Sequence, residues 1–196
     1  MKKRFFGILA ALCLCLALCV SASAANGTKL ETSHGGQTLS SGEYYLDGDV
    51  TISQTITVSG TVTLDLNGFA LKYENNQTHG SPLAVEDGAH LTIKDSNSNA
   101  THKFKPNSDG LWVLNENGTK SVTGGVITGG TGYPIQFGSG ANVYDAYYGG
   151  AVYIKPGGKL NMEGGSIVGC SAVYGGGVYV AGEFVMTGGS LIGCAA

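Results

Sequence analysis

The sequence has almost no arginine. Its single arginine, Arg4, lies in a basic head at the N-terminus, and beyond residue 24 the chain carries eight lysines against fourteen aspartates and glutamates, a net charge of −6. Phosphate recognition depends on clustered lysine and arginine. We therefore expect neither nucleic acid nor an anionic polymer as a partner.

Proline and helical patterns are also scarce. Four prolines stand against 33 glycines, and the glycines follow no triplet period, which excludes collagen. After the N-terminal apolar run, no segment repeats apolar residues at helical spacing over a useful length. The glycines instead separate short runs rich in Val, Ile, Thr, Tyr and Leu, which predicts an all-β fold.

The N-terminus has the pattern of a secretory signal. Met1 to Arg4 is basic, Phe5 to Val20 carries no charge, and small residues at 22–24 precede the expected cleavage before Ala25. A membrane anchor would need about 20 apolar residues, and a lipoprotein site at Cys19 is disfavoured by the bulky Leu18. The expected signal peptide is 1–24, and the mature chain is expected to be secreted, either free or associated with the cell surface, with no further membrane span.

Four stretches, 83–95, 111–125, 152–165 and 178–189, follow nearly the same pattern. Each opens with two apolar residues separated by one residue of any type. It then crosses a short glycine-bearing turn and continues through a second alternating strand. Three end in the doublets Gly124-Gly125, Gly164-Gly165 and Gly188-Gly189. Self-similarity at a period of roughly 25 residues is typical of a solenoid, in which each repeat buries its apolar face against its neighbours.

Alternation predicts which side chains face the core. Aligned repeats place apolar residues in columns along three walls, although Lys120 interrupts one column. A β-sandwich is the alternative fold, but it would not stack like residues at a constant phase. The predicted columns are Ile56, Leu83, Leu111, Val152 and Val178; Val58, Val85, Val113, Ile154 and Val180; Val62, Leu91, Leu160 and Phe184; Leu64, Ile93, Val122, Met162 and Met186; and Ile127, Ile167 and Leu191.

The spacing between repeats predicts an inserted loop and the boundaries of the repeat domain. The steps from Ile56 to Leu83, Leu111, Val152 and Val178 are 27, 28, 41 and 26 residues, so the long step predicts a loop inserted at about 131–146. Residues 25–41 are polar and are predicted to form an N-terminal lead-in segment. Residues 42–196 are predicted to form the repeat domain. Since the last repeat carries no polar cap, we expect a longer parent chain with further coils, or a partner stacked on that end.

The motifs resemble a known family. Leu64 to Gly68 (Leu-Asp-Leu-Asn-Gly), the Gly-Gly doublets followed by Ser and an apolar residue, and Tyr174 to Val180 (Tyr-Gly-Gly-Gly-Val-Tyr-Val) are similar to right-handed β-helix repeats in secreted and surface proteins of gut Firmicutes. Such proteins share the pectate-lyase-like superfold. The resemblance covers about residue 42 to the C-terminus and implies a right-handed parallel β-helix solenoid of about five coils. It implies no single function, because this scaffold carries lyases, hydrolases, adhesins and stalks.

Catalytic and metal-binding sets are each incomplete. The family's lyases imply clustered aspartates for calcium and a basic residue, but Asp65 and Asp95 are out of register, and Asp47 and Asp49 suit a turn. A hydrolase would need converging carboxylates, for which Asp65, Glu86 and Asp95 lack partners. The histidines are dispersed, and none has the spacing of a nucleophile and its base. We expect no catalytic residue, no metal and no cofactor.

Aromatic residues form the strongest candidate site. The outward position of the first wall carries Trp112, Tyr153 and Tyr179 in successive repeats, beside a corner pair, Tyr148 and Tyr174. Aromatic faces bind sugar rings by stacking and apolar burial, so a glycan platform is one interpretation. An aromatic ladder that only stabilises the strands, or that the inserted loop covers, is the other. The candidate ligand-binding residues are Trp112, Tyr153, Tyr179, Tyr148, Tyr174 and Tyr144.

Outside the signal, the chain has two cysteines at one repeat position. Cys170 and Cys194 both follow Gly in Gly-Cys-x-Ala. Neighbouring strands lie about 4.8 Å apart, a distance that a disulfide spans. A disulfide and a pair of small buried thiols are equally compatible with this spacing. In the related proteins this position is commonly asparagine.

Two functions follow from these observations. The first is a non-catalytic module, either an adhesin-like stalk or a surface that binds a glycan or another cell-surface polymer. The second is the N-terminal part of a polysaccharide lyase or glycoside hydrolase whose catalytic coils lie beyond residue 196.

Overall fold

The computed structural model describes residues 27–196, and the predicted signal peptide lies outside them. The described part is all-β, with one short 3-10 helix at Thr32–His34. No helix within residues 27–196 has the length and apolarity needed to cross a membrane. The strands are β1 Thr28–Lys29, β2 Thr38–Tyr45, β3 Val50–Ile52, β4 Ile56–Asp65, β5 Ala70–Tyr73, β6 Leu83–Val85, β7 His90–Lys94, β8 Thr101–Pro106, β9 Trp112–Leu114, β10 Lys120–Thr123, β11 Val126–Thr128, β12 Tyr133–Phe137, β13 Tyr144–Tyr148, β14 Val152–Ile154, β15 Lys159–Met162, β16 Ser166–Val168, β17 Val178–Val180, β18 Glu183–Met186 and β19 Ser190–Ile192.

Most strands pair in parallel and surround one apolar core. The first half of β4 pairs with β6, followed by β14 and β17; we call this wall 1. The second half of β4 pairs with β7, followed by β15 and β18, which form wall 2. Wall 3 contains β3, β5, β11, β16 and β19. The long parallel sheets nearly close around the core and are consistent with a β-helix-like fold.

The predicted columns are confirmed along most of their length. Ile56, Leu83, Val152 and Val178 pair in register in wall 1. In wall 2, Val62, Leu91, Leu160 and Phe184 are also in register. In wall 3, Ile127, Ile167 and Leu191 stack, and Leu71 extends the column. Like side chains therefore stack at a constant phase of the repeat and fill the core, except in the last repeat, where Val180, Met186 and Leu191 are exposed.

The predicted placement of residues 111–123 in the third repeat is wrong. Leu83 pairs directly with Val152, so Leu111 and Val113 take no place in wall 1. Residues 101–123 instead form an antiparallel sheet, β10-β8-β9, in which Val122 pairs with His102. Its apolar face packs on the outside of wall 3 as a second small core around Phe104, with Val122, Val126 and Val168. The chain leaves the parallel walls after β7 and returns to them with β11.

Regular structure begins before the expected boundary at residue 42. Strand β1 pairs with β2, and β2 pairs with β4 from Thr38 onward. Leu30 and Leu39 are buried in the main core. The residues interpreted as a polar lead-in therefore contain packed strands, because their few apolar side chains cover the first end of the core.

Glycine doublets and Asp95 build one corner of the fold. The amide of Ser166 donates to Gly125 O at 2.9 Å and that of Ser190 to Gly165 O at 3.2 Å, so the doublets stack as expected. The carboxylate of Asp95 accepts from the amides of Gly68 and Gly125, at 2.7 and 2.8 Å. A side chain at Gly125 would overlap Leu66. Close approach of the backbone at this corner therefore requires glycine.

The segment expected as an inserted loop is an antiparallel hairpin. Strands β12 and β13 pair from Tyr133↔Tyr148 to Phe137↔Tyr144. The hairpin leaves the fold after β11 and rejoins it at β14. Its position beside wall 1 determines which aromatic side chains remain accessible.

Candidate aromatic binding surface

Parallel register places two tyrosines on the outer face of wall 1. Tyr153 in β14 pairs with Tyr179 in β17. Because their neighbours on either side face the core, both rings point outward and stack, with centroids 5.7 Å apart. The next residue of this outward column is Ala84, so the ladder contains two rings.

A second pair lies at the preceding corner. Tyr148 and Tyr174 form a parallel bridge, and their rings stack with centroids 4.8 Å apart and planes 18° apart. Tyr148 also meets Tyr179 edge to face at 4.7 Å. The corner pair and the wall pair are therefore one continuous cluster.

The hairpin lies against this cluster. Tyr133 stacks on Tyr153 with centroids 5.0 Å apart and planes 12° apart. Phe137 stacks on Tyr144 at 5.8 Å and contacts Tyr148 at 6.3 Å. Together with the two pairs these three hairpin rings make a set that we call the aromatic patch: Tyr133, Phe137, Tyr144, Tyr148, Tyr153, Tyr174 and Tyr179.

Members of the patch differ in their accessibility. Tyr153 is only 9% exposed because Tyr133 covers it, so its ring supports the patch and does not offer a free face. Tyr144, Tyr174 and Phe137 are 64%, 49% and 39% exposed. We call these three the exposed face of the aromatic patch. It is the part that a ligand could reach.

Packing changes the acidity of two phenols in the aromatic patch, Tyr148 and Tyr153. Loss of water raises the pKa of Tyr148 above its usual value, and the neighbouring phenols of Tyr174 and Tyr179 raise it further. Burial likewise raises the pKa of Tyr153, although Lys155 opposes the shift. The two hydroxyls therefore remain neutral donors throughout the physiological pH range.

An ion pair borders the patch. Lys155 Nζ lies 2.7 Å from each carboxylate oxygen of Glu86 and 5.8 Å from the centroid of the Tyr133 ring. Burial is the largest single effect and would lower the pKa of Lys155, but the hydrogen bond to Glu86 and the charge interactions with Glu86, Tyr133 and Tyr153 together raise it. The pair gives the patch a polar edge with both a donor and an acceptor.

Trp112 was predicted in the outward ladder, and this placement is wrong. Strand β9 belongs to the antiparallel sheet, where Trp112 pairs with Pro106. Its ring lies 6.3 Å from that of Phe104, and its amide donates to Gly193 O at 3.2 Å. Trp112 therefore packs the small second core against wall 3. The other five candidate residues, Tyr144, Tyr148, Tyr153, Tyr174 and Tyr179, come together in the aromatic patch.

The carboxylates considered for catalysis or calcium binding make hydrogen bonds or ion pairs within the fold. Asp65 accepts from the amides of Asn67 and Ser96, both at 2.9 Å. Asp47 pairs with Lys29 Nζ at 2.9 Å, and Asp49 accepts from the amide of Ala70 at 2.8 Å. Within the described part of the chain, no group of three His, Cys, Asp or Glu residues is arranged to hold a metal ion.

Four residues of the site are not among the six candidate ligand-binding residues: Tyr133, Phe137, Glu86 and Lys155. The hairpin rings gave a signal in the sequence, because the first and last residues of 133–137 and of 144–148 are aromatic and share one face of each strand. Tyr147, on the opposite face of β13, contacts His79 at 4.0 Å instead of joining the patch. Glu86 and Lys155 follow β6 and β14, which are parallel neighbours, and this spacing would have paired them.

Comparisons with protein-family models, with curated proteins and with solved structures found no match to this chain.

Proposed function

We propose that the described residues form a right-handed parallel β-helix of five coils. The parallel register of the three walls supports this, because parallel crossover connections are right-handed in about 98% of cases. The antiparallel sheet is inserted within the third coil, and the hairpin is inserted in the connection between the third and fourth coils. The coils are β2 with β3; β4 with β5; β6, β7 and β11; β14, β15 and β16; and β17, β18 and β19.

On this scaffold, the function that the geometry supports best is a non-catalytic, extracellular carbohydrate-binding module. The observation that carries the proposal is the exposed face of the aromatic patch, where Phe137, Tyr144 and Tyr174 present their rings to solvent on a support of buried and half-buried tyrosines. Exposed apolar clusters of this kind mark contact surfaces. A rigid aromatic surface loses little conformational freedom when it binds.

The chemistry of the surface favours a neutral glycan. Aromatic rings stack on the apolar faces of pyranoses, and the hydroxyls of tyrosine can exchange hydrogen bonds with sugar hydroxyls. The net charge of −6 beyond residue 24 disfavours sulfated or uronic-acid polymers. Glu86 and Lys155 are already paired, so they provide polar contacts without a large excess charge.

Binding of the full chain to an array of neutral oligosaccharides, followed by calorimetry with the best ligand, tests the proposal. Tyr174→Ala and Tyr144→Ala are each expected to weaken binding about tenfold, which corresponds to about 1.4 kcal/mol. Tyr174→Phe keeps the ring and is expected to retain most of the affinity. Val113→Ala is the matched control, because Val113 is 46% exposed but lies in the antiparallel sheet.

Two results would contradict the proposal. If no neutral oligosaccharide binds, or if the Tyr174 and Tyr144 variants bind as well as Val113→Ala, the aromatic patch is a packing feature. Release of new reducing ends or unsaturated products from a bound polysaccharide would instead identify the chain as an enzyme.

A further inference from the structure

The two thiols outside the N-terminal segment are stacked on each other. Strands β16 and β19 are parallel neighbours in wall 3, and Cys170 and Cys194 each lie two residues beyond them. Ser171 and Ala195 form a parallel bridge immediately after the cysteines, so the register continues through this position. The amide of Ala195 donates to Cys170 O at 3.0 Å. The cysteines are therefore direct neighbours across two strands.

Both sulfur atoms lie on the side of wall 3 that faces the main core. Cys170 belongs to the main core and is fully buried, and Cys194 packs against that core while it remains partly accessible. Each thiol lies near backbone carbonyl oxygens, Ile127 O for Cys170 and Ile167 O for Cys194, both at 3.9 Å. Parallel neighbours are about 4.8 Å apart, within the range of about 4.4 to 6.8 Å that the Cα atoms of a disulfide span.

Acidity distinguishes the two sulfur atoms. Interaction with the neighbouring Cys170 thiol lowers the pKa of Cys194 to about 7. The same interaction, together with burial, raises the pKa of Cys170 well above its usual value. The accessible sulfur is therefore the better nucleophile, and the buried one is positioned behind it.

We propose that Cys170 and Cys194 form a redox-active dithiol that closes to a disulfide joining the last two strands of wall 3. The Cys194 thiolate attacks one sulfur of a small-molecule disulfide, forms a mixed disulfide and releases one thiolate, which takes up a proton. Cys170 then loses its proton and attacks Cys194 Sγ. The Cys170–Cys194 bond forms, the mixed disulfide breaks and a second thiol leaves. Two protein thiols are oxidised, and the small disulfide is reduced to two thiols.

Peptide mapping of the full chain tests the proposal without interference from Cys13, Cys15 and Cys19. Cleavage after Glu163 and Glu183 separates the two cysteines into peptides 164–183 and 184–196. After treatment of the folded protein with oxidised glutathione and alkylation of free thiols, we expect these two peptides to be joined, and dithiothreitol to separate them. Brief alkylation of the reduced protein is expected to modify Cys194 at least tenfold faster than Cys170.

Two variants resolve the order of steps. Cys170→Ala is expected to keep a glutathione adduct on peptide 184–196, because nothing displaces it. Cys194→Ala is expected to leave peptide 164–183 unmodified, because Cys170 is buried. Circular dichroism verifies folding, and if Cys170→Ala does not fold, the order of alkylation in the wild-type chain decides. A wild-type chain that retains the adduct without linking its peptides, that reacts first at Cys170, or that does not react at all would overturn the proposal.

Discussion

Replacing Tyr153 by alanine removes the ring on which the hairpin rests. Tyr153 lies between Tyr133, at 5.0 Å, and Tyr179, at 5.7 Å, and is 9% exposed. An aromatic pair contributes about 0.5–1.5 kcal/mol beyond the area that it buries, and complete truncation of a buried aromatic side chain costs about 3–5 kcal/mol. Because this ring lies on the outside of a sheet, where the hairpin can partly collapse onto the gap, we expect a loss of about 3 kcal/mol.

Urea denaturation followed by circular dichroism measures this loss. Tyr153→Phe keeps the ring and is expected to change the free energy of unfolding by less than about 0.5 kcal/mol. Tyr144→Ala is the exposed control and is expected to cost less than about 1 kcal/mol, because Tyr144 is 64% exposed. The hairpin turn between Phe137 and Tyr144 is expected to become more sensitive to proteolysis in Tyr153→Ala alone.

A double-mutant cycle isolates the Tyr133–Tyr153 contact. If the two rings stabilise each other, Tyr133→Ala and Tyr153→Ala together cost less than the sum of the single changes, by about 1 kcal/mol. Additive losses would show that the hairpin docks without this stacking. A Tyr153→Ala variant as stable as Tyr144→Ala would refute the assignment of Tyr153 as the buried support.

Three further predictions concern other parts of the fold. Asp95→Ala removes two hydrogen bonds that backbone amides donate to the carboxylate, and it is expected to lower the free energy of unfolding in urea by about 3 kcal/mol. The control Asp109→Ala, on an exposed turn, is expected to change this free energy by less than about 0.5 kcal/mol. Oxidation of the dithiol is expected to add about 3 kcal/mol, seen as a higher urea midpoint without reductant, and Cys194→Ala should abolish the difference. The folded-state pKa values of Tyr148 and Tyr153 are raised, so their contribution to stability is complete below pH 10 and is lost as pH rises through the folded values. The urea midpoint should therefore fall above pH 10, and it should fall less steeply in Tyr153→Phe than in wild type.

The walls could be predicted because two local rules agree. Alternation with a period of two assigns the face of each residue, and constant spacing of the repeats assigns its neighbours. Ile56 with Leu83, and Val152 with Val178, satisfy both rules and stack in register. A column of this kind needs no knowledge of distant contacts, so the sequence is sufficient to place it.

The antiparallel sheet could not be predicted in the same way. Leu111-Trp112-Val113 has the same alternation as the strands of wall 1, and what separates it from them is its pairing with Lys105 and Pro106. Such pairing depends on which strand is available, not on the pattern of the strand itself. Lys120 gave the one local warning, because a lysine stood where the column required an apolar side chain, and it is exposed in β10.

The aromatic patch was partly predictable for a related reason. The register of wall 1 assigned Tyr153 and Tyr179 to one outward column, and that assignment is confirmed. Whether the outward rings face solvent depends on how the hairpin folds back. Its pairing of Tyr133 with Tyr148 brings Tyr133 over Tyr153, a tertiary contact that repeat spacing does not specify.

Hairpin docking links the stability of the fold to the proposed binding surface. The contact that buries Tyr153 also holds Phe137 and Tyr144 beside Tyr148, so two of the three exposed rings depend on it. Tyr174 instead belongs to the corner before β17 and keeps its position through its bridge to Tyr148. If the patch binds glycans, Tyr153→Ala should therefore weaken both binding and folding, while Tyr174→Ala should weaken binding with little effect on folding. The reverse pattern, with binding unaffected by Tyr174→Ala and lost with the hairpin, would place the ligand on the hairpin alone.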